Sequence, residues 1–156
     1  MTSKTPKLVI ADASCLIVLS RIDAFPLLQH LYGSILTTPR VANEAGRPLP
    51  PWILEKEVQN QSILSDLELE VDRGEASAIA LALEVGNCSI ILDDDQGRRL
   101  AQRLKLDVTG TLGVLLRCKE VGLIQTVSPF INQLRAIGFR MSETLVQLVL
   151  RQADEL

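Results

Sequence analysis

Two kinds of apolar pattern alternate along the chain: short uninterrupted runs, and longer segments in which apolar residues recur every three or four positions. An uninterrupted run bounded by polar residues is typical of a strand that is covered on both faces. Such runs predict strands at 8–11 and 89–92, and we also predict a strand at 34–37 and a strand with a turn at 106–110. The segments between them fit a period of about 3.6 residues, which predicts helices.

Capping and turn residues mark where the predicted helices begin and end. In the segment 73–86, for example, the apolar residues fall on one helical face and Gly86 ends the helix. The expected N-cap residues are Asp12 or Ser14, Ser128 and Ser142. Helices are predicted over 14–22, 23–33, 39–46, 73–86, 95–105, 111–123, 128–138 and 142–156.

Two stretches lack a clear pattern. The proline-rich sequence "RPLPPWI" at 47–53 predicts a loop. The following stretch, 55–72, contains "ILSDLELEV", whose alternation fits a strand or a helix equally well. The stretch 55–72 is therefore predicted to be either a strand or a helix.

The order of the elements predicts the fold class. Strands that alternate with helices indicate an α/β protein of three layers, α/β/α, with a mainly parallel central sheet of about four to five strands. At 156 residues, the chain is expected to form one domain over 1–156. In such sheets ligands bind at the carboxyl ends of the strands.

Composition and charge then exclude several classes of protein. A net charge of −3 excludes a wholly basic surface, so contact with nucleic acid would need a local patch. The N-terminus "MTSKTPKLVIADAS" holds only a short apolar run, and no run approaches the roughly 18–20 apolar residues of a membrane span. The three cysteines, Cys15, Cys88 and Cys118, lack metal-ligand spacing and indicate a reduced, cytoplasmic protein. The single histidine, His30, argues against His-dependent triads and His-rich zinc sites.

The acidic residues fall at informative places in this fold. Asp12 ends the first predicted strand, and the triplet 93–95 follows the third. Glu44 lies in the helix after the second strand, and Glu75 lies in the first turn of the helix that precedes the third. Carboxylates brought together repel one another unless a cation lies among them, and hard divalent ions such as Mg²⁺ or Mn²⁺ prefer oxygen ligands. The acids therefore predict a metal site at the carboxyl edge of the sheet.

Each acid also has a simpler interpretation. Asp12, Glu75 and the triplet 93–95 would suit the N-termini of helices, and Glu44 would suit an exposed helical face. Strand-end acids in two βα units together favour a site over separate capping roles. Within the triplet, Asp93 is the expected ligand, and Asp95 is most simply the cap of the next helix.

Five segments together resemble the PIN-domain ribonucleases, and among them the short prokaryotic proteins similar to the VapC-type toxins of toxin–antitoxin pairs. They span nearly the whole chain in the family's order, and the ordered set is far more specific than any one of them. The segments are "VIADASCLIVLSRI", "TTPRVANEAG", "GEASAIALALE", "ILDDDQGRRLAQRLKLDVTGTLGVLLRCKEVGLI" and "LRAIGFRMSETLVQLVL".

The resemblance implies an endoribonuclease that depends on Mg²⁺ or Mn²⁺. The implied catalytic acids are Asp12, Glu44, Glu75 and Asp93, and the implied metal ligands are Asp12, Asp93, Glu75 and Asp94. Ser14 and Thr111 resemble the small hydroxyl residues that line such sites, although both also suit helix capping.

The resemblance also implies partners. RNA would be the substrate, and the implied phosphate contacts are Arg98 and Arg99, although "GRRLAQRLK" equally describes a solvated helical face. A protein antitoxin and a homodimer are expected, with the apolar segments 15–22 and 25–32 as contact surfaces or as core. The main alternative is a PIN-like binding or scaffold protein without catalytic activity. A phosphoacceptor receiver domain would need an acidic pair after the first strand, where only Asp12 stands, and no GxGxxG or GxxxxGK[ST] follows that strand.

Overall fold

Five parallel strands form one sheet at the centre of the computed structural model, which describes residues 7–156. The strands are β1 (Leu8–Ala11), β2 (Ile35–Thr37), β3 (Ile53–Glu55), β4 (Cys88–Ile91) and β5 (Asp107–Thr109). Their order across the sheet is β3-β2-β1-β4-β5. We predict no secretory signal at the N-terminus. Residues 1–6 of that segment lie outside the described residues.

Helices flank this sheet and confirm the predicted three-layer α/β/α fold. They are α1 (Ala13–Arg21), α2 (Pro26–Tyr32), α3 (Pro39–Ala45), α4 (Gln61–Leu67), α5 (Arg73–Val85), α6 (Asp95–Arg103), α7 (Thr111–Glu120), α8 (Ser128–Ala136) and α9 (Glu143–Gln152). Among residues 7–156, no helix has the length and apolar character needed to cross a bilayer.

The four predicted strands and eight predicted helices are all confirmed to within a few residues, and the structure adds β3 and α4. The loop predicted at 47–53 is wrong at its last residue, because Ile53 opens β3. This edge strand gave little signal, since Ile53 is buried but Leu54 is 48% exposed and Glu55 is exposed. The undecided stretch 55–72 contains α4.

The N-cap predictions have mixed outcomes. Ser142 caps α9 as predicted, because its hydroxyl accepts a hydrogen bond from the amide of Leu145 at 3.1 Å. The prediction for Ser128 is wrong, since the N-cap of α8 is Val127. Asp12 holds the N-cap position of α1, but its side chain makes no capping hydrogen bond.

The core lies between the sheet and α5, which is rich in alanine. All nine residues from 74 to 82 are buried, and the small side chains let this helix pack closely on the sheet. Ile10, Ile90 and Ile91 of the central strands are fully buried beneath the helices. The cysteines Cys15, Cys88 and Cys118 are buried and free, as predicted.

The strand order reverses next to β1, and this reversal positions the acidic residues. β1 pairs with β2 on one side and with β4 on the other, so the chain leaves the two central strands toward opposite ends of the sheet. The amide of Asp12 donates to the carbonyl of Ile91 at 3.1 Å, which joins the carboxyl ends of β1 and β4. Parallel sheets bind ligands in the crevice at such a point.

A buried carboxylate fastens the C-terminal segment to α7 and α8. The side chain of Glu155, 9% exposed, accepts hydrogen bonds from the amides of Val127 and Ser128, the Ser128 hydroxyl and the Lys119 ammonium. Burial alone would raise the pKa of Glu155, but these four donors outweigh it and hold that pKa at about 2.

Glu155→Gln is expected to lower the free energy of unfolding by about 2 kcal/mol, because the amide presents hydrogen-bond donors to other donors. The corresponding loss is roughly 4–8 °C in Tm, measured by thermal denaturation at pH 7 without added metal. The matched control is Glu120→Gln, which removes an exposed pair with Arg117 at 3.6 Å and is expected to change stability by less than about 0.5 kcal/mol. Equal effects of the two substitutions would contradict this account of Glu155.

Candidate active site

A cleft of about 1500 Å³ opens above the carboxyl edge of the sheet at the reversal of strand order. One end of the cleft is acidic, and the other is apolar and lies between α1, α7 and α9. The acidic end is lined by Asp12, Glu44, Asp72, Glu75, Asp93, Asp94 and Asp95. The structure therefore brings all four predicted catalytic acids to one cleft.

Asp12 is one of two buried acids of the cleft, together with Glu75. It directly follows β1 and is only 6% exposed. Among the described residues, its Oδ1 atom is buried without a hydrogen-bond partner. Burial raises the pKa of this carboxyl to about 7; the amide of Ala13 partly offsets burial, and the charges of Asp72, Glu44 and Asp93 add to it.

Asp93 is the most firmly held acid of the cleft. It accepts a hydrogen bond from the Thr111 amide at 2.8 Å on Oδ1, and another from the Thr111 hydroxyl at 2.7 Å on Oδ2. Burial raises the pKa of Asp93, while the bonds from Thr111 and the charge of Arg98 lower it in part. The first turn of α7 therefore fixes the orientation of the acid that follows β4.

Glu75 enters the cleft from the first turn of α5. Its side chain is 5% exposed, and its amide donates to Asp72 Oδ1 at 2.8 Å. Burial raises the pKa of Glu75 well above its usual range, and the negative charges of Asp72, Asp94 and Asp12 raise it further. Without a cation, the cluster thus favours a protonated Glu75 at neutral pH.

Glu44 lies at the rim of the cleft, in the last turn of α3. The residue is exposed, and its carboxylate packs against the backbone of Gly74 in α5. Burial raises the pKa of Glu44, the charge of Asp72 raises it further, and the charge of Arg40 lowers it. Glu44 is therefore the most solvent-exposed of the four predicted catalytic acids.

The start of α6 arranges its acids differently from the prediction. Asp94 is the N-cap of α6, and its Oδ2 accepts a hydrogen bond from the Gly97 amide at 2.9 Å. The prediction that Asp95 caps this helix is wrong, because Asp95 is its first residue. Arg98 lines the cleft, half-buried, with Nη1 donating to the carbonyl of Leu92 at 2.9 Å. Arg99 is exposed and lies outside the cleft lining.

The two predicted hydroxyl residues occupy different positions. Ser14, the second residue of α1, is half-buried and lines the cleft. Thr111 is fully buried behind Asp93 and does not line the cleft, so it orients an acid where we expected contact with substrate.

Asp72 is a residue of the cleft that sequence reasoning missed. It caps α5, lines the cleft and raises the pKa of Asp12, Glu44 and Glu75 through its charge. The spacing of Asp72 and Glu75, an N-cap residue and the third residue of its helix, is that of a capping box. This spacing is a signal in the sequence that would have placed both carboxylates at one helix terminus.

The donor set fits a hard divalent cation. It consists of carboxylate oxygens, and the buried Oδ1 of Asp12 lacks a partner that such an ion would supply. Within residues 7–156, no three His, Cys, Asp or Glu side chains converge closely enough to form a ready-made metal cage. The arrangement suits Mg²⁺ or Mn²⁺, because Mg²⁺ binds through one or two carboxylates and keeps several waters.

Fold and cleft together define a doubly wound parallel α/β domain with an acidic cleft at the reversal of strand order. The model of one protein family, DUF3368, described as a PIN domain, matches residues 8–155. The chain therefore belongs to the PIN-domain family, as its sequence predicted. A search of curated proteins finds no match. PIN domains are generally nucleases and typically use divalent metals.

Proposed function

We propose that this chain is an endoribonuclease that depends on Mg²⁺ or Mn²⁺. The observation that carries the proposal is the buried Oδ1 of Asp12, which has no partner among the described residues and belongs to an acid that lines the cleft. A carboxylate buried among other acids without a donor is costly unless a cation neutralises it. RNA as the substrate rests on the resemblance to PIN-domain ribonucleases.

The proposed roles follow from the geometry of each acid. Asp12 and Asp93, at the ends of neighbouring strands, would hold the ion, and Glu75 and Asp94 would complete its ligands directly or through water. When bound, the ion would supply the positive charge that a scissile phosphate needs as negative charge develops on it. Glu44, the exposed acid at the rim, would help to hold the ion through a water molecule and would accept the proton of the attacking water.

Positive charge along the cleft supports contact with phosphates. Arg98 stands beside Asp93 with one guanidinium nitrogen tied to the backbone, which leaves the rest of the fork available. Arg21, Arg135 and Arg140 also line this cleft, although Arg135 pairs with Glu143 at 3.0 Å. We propose that Arg98 contacts the phosphate next to the cleavage site, and that Arg99 contributes only through its charge.

We further propose a role as the toxin of a toxin–antitoxin pair, acting in the cytoplasm as a homodimer. The support is the resemblance to VapC-type proteins, the three free, buried cysteines and an apolar surface along the cleft. In that surface Leu145 is 43% exposed and Leu148 is 47% exposed, which would suit a protein antitoxin. Growth arrest on expression, relieved by Asp93→Asn, is the expected result in cells.

The decisive experiment is cleavage of a labelled single-stranded RNA by the purified protein with Mn²⁺. We expect products that disappear with EDTA, and no cleavage of DNA of the same sequence. Asp93→Asn is expected to reduce kcat at least about a hundredfold, because the held acid loses its charge. The control Asp66→Asn, on the exposed face of α4, should cleave like the wild type.

A wild-type protein that binds Mn²⁺ but cleaves neither nucleic acid would overturn the nuclease proposal. That result would support the alternative of a PIN-like binding or scaffold protein. Cleavage that persists in EDTA, or in the Asp93→Asn protein, would contradict the proposed site.

A further inference from the structure

Three glycines stand next to three of the acids of the cleft, and none of them is required by the backbone conformation. Gly74 lies in α5 and Gly97 in α6, where any residue adopts helical angles. Gly110, the N-cap of α7, is extended, with φ −109° and ψ −179°. Alanine is preferred to glycine in a helix by about 1 kcal/mol, so local propensity argues against Gly74 and Gly97.

The missing Cβ atom explains all three positions. A Cβ on Gly74 would lie 2.8 Å from both Cδ and Oε2 of Glu44. A Cβ on Gly97 would lie 3.2 Å from Oε1 of Glu75, and one on Gly110 would lie 2.9 Å from Oδ1 of Asp93. Distances below about 3.0 Å force one of the two groups to move. At Gly74 and Gly110 the acid therefore occupies space that a side chain would fill, and at Gly97 the approach is tight.

Of the three glycines, Gly74 makes the closest approach to its acid. Among residues 7–156, the carboxylate of Glu44 has no salt bridge and accepts no side-chain or backbone hydrogen bond. By contrast, Thr111 holds Asp93 with two hydrogen bonds. The space left by the missing Cβ of Gly74 therefore lets the Glu44 carboxylate lie against the first turn of α5, beside Asp72.

We propose that Gly74 is a positioning residue for the reaction, acting through Glu44. This inference rests on the proposed function for its role in catalysis, but the contact itself does not. The absence of a side chain on Gly74 lets the Glu44 carboxylate lie over the first turn of α5, inside the acidic cleft. A methyl group there displaces the carboxylate toward solvent.

The substitution Gly74→Ala separates this role from folding. The atoms that must move belong to the tip of a flexible side chain, so the displacement is tolerated. Alanine also favours the helical backbone. We therefore expect a protein that folds and unfolds normally but binds Mn²⁺ about tenfold more weakly and loses at least tenfold in kcat, with little change in KM for RNA.

The test is a double-mutant cycle of Gly74→Ala and Glu44→Ala, read by Mn²⁺ calorimetry, RNA cleavage and urea unfolding of the metal-free protein. With Glu44→Ala present, the added Gly74→Ala should change neither Mn²⁺ affinity nor kcat, because the displaced carboxylate is gone. The urea midpoint should rise more on adding Gly74→Ala to Glu44→Ala than to the wild type.

Additive effects of the two substitutions on both Mn²⁺ affinity and the urea midpoint would overturn the positioning role. So would a Gly74→Ala protein with wild-type Mn²⁺ affinity and kcat. If the wild type neither binds Mn²⁺ nor cleaves RNA, the proposed function fails. The urea cycle on the metal-free protein then decides the contact, with coupling in its favour and additivity against it.

Discussion

Asp12→Asn is expected to abolish divalent-ion binding and RNA cleavage while making the metal-free protein more stable. The Asp12 carboxylate is buried, lacks a donor on Oδ1 and is surrounded by other acids, which raises its pKa to about 7. At pH 8 its charge therefore opposes folding. Replacing it with a neutral amide should raise the free energy of unfolding by about 2 kcal/mol.

The two expected effects have opposite signs, because ion binding and cleavage are lost while the stability of the metal-free protein rises. Thermal denaturation at pH 8 should give a higher Tm for Asp12→Asn than for the wild type without metal, and no increase on adding Mn²⁺. The kcat for RNA should fall by at least about a thousandfold, since a principal ligand is lost. Asp66→Asn, an exposed acid of α4, is the matched control and should change neither quantity. A destabilised Asp12→Asn protein would mean that Asp12 is structural.

The fold is predicted from local sequence patterns, and the elements that they predict are present in the structure. The strands β1 and β4 and the helix α5 are predictable, because their sequences carry the apolar patterns that are typical of a buried strand and of a helix. β3 is not predictable from the sequence, because it is three residues long, lies at the sheet edge and buries only Ile53. Such a strand forms through pairing with β2, and a single sequence does not show pairing partners.

The candidate site likewise has features that the sequence predicts and features that it does not predict. Asp12 and Asp93 are predictable as acids at strand ends, but their proximity depends on β4 pairing next to β1. Asp94 caps α6 in place of Asp95, because sequence patterns do not fix the N-cap of a helix to within one residue. The place of Thr111 depends on the start of α7 lying beside the end of β4. Contacts between distant segments of the chain therefore decide how close Asp12 lies to Asp93 and where Thr111 lies.

The metal-free protein is expected to lose stability as the pH rises from 5 to 8. Folding raises the pKa of Asp12 from 3.8 to about 7 and also raises that of Glu75, in both cases chiefly by burial. The folded state therefore holds protons that the unfolded state has released, so the contribution of these two carboxyl groups to stability is fullest below pH 4 and falls above it. We expect a decrease of about 3 kcal/mol in the free energy of unfolding, or roughly 6–12 °C in Tm.

Mn²⁺ is expected to reverse this trend, because the ion and the protons compete for the same carboxylates. At one hundred times its dissociation constant, the ion should add about 2.7 kcal/mol to the stability at pH 8. At pH 5 the same concentration should add far less, since Asp12 is then protonated.

Tm measured from pH 5 to 8, with Mn²⁺ and with EDTA, should give two curves that separate as the pH rises. The double variant Asp12→Asn/Glu75→Gln should flatten both curves, and a wild-type Tm in EDTA that rises from pH 5 to 8 would contradict the burial of charge in this cleft.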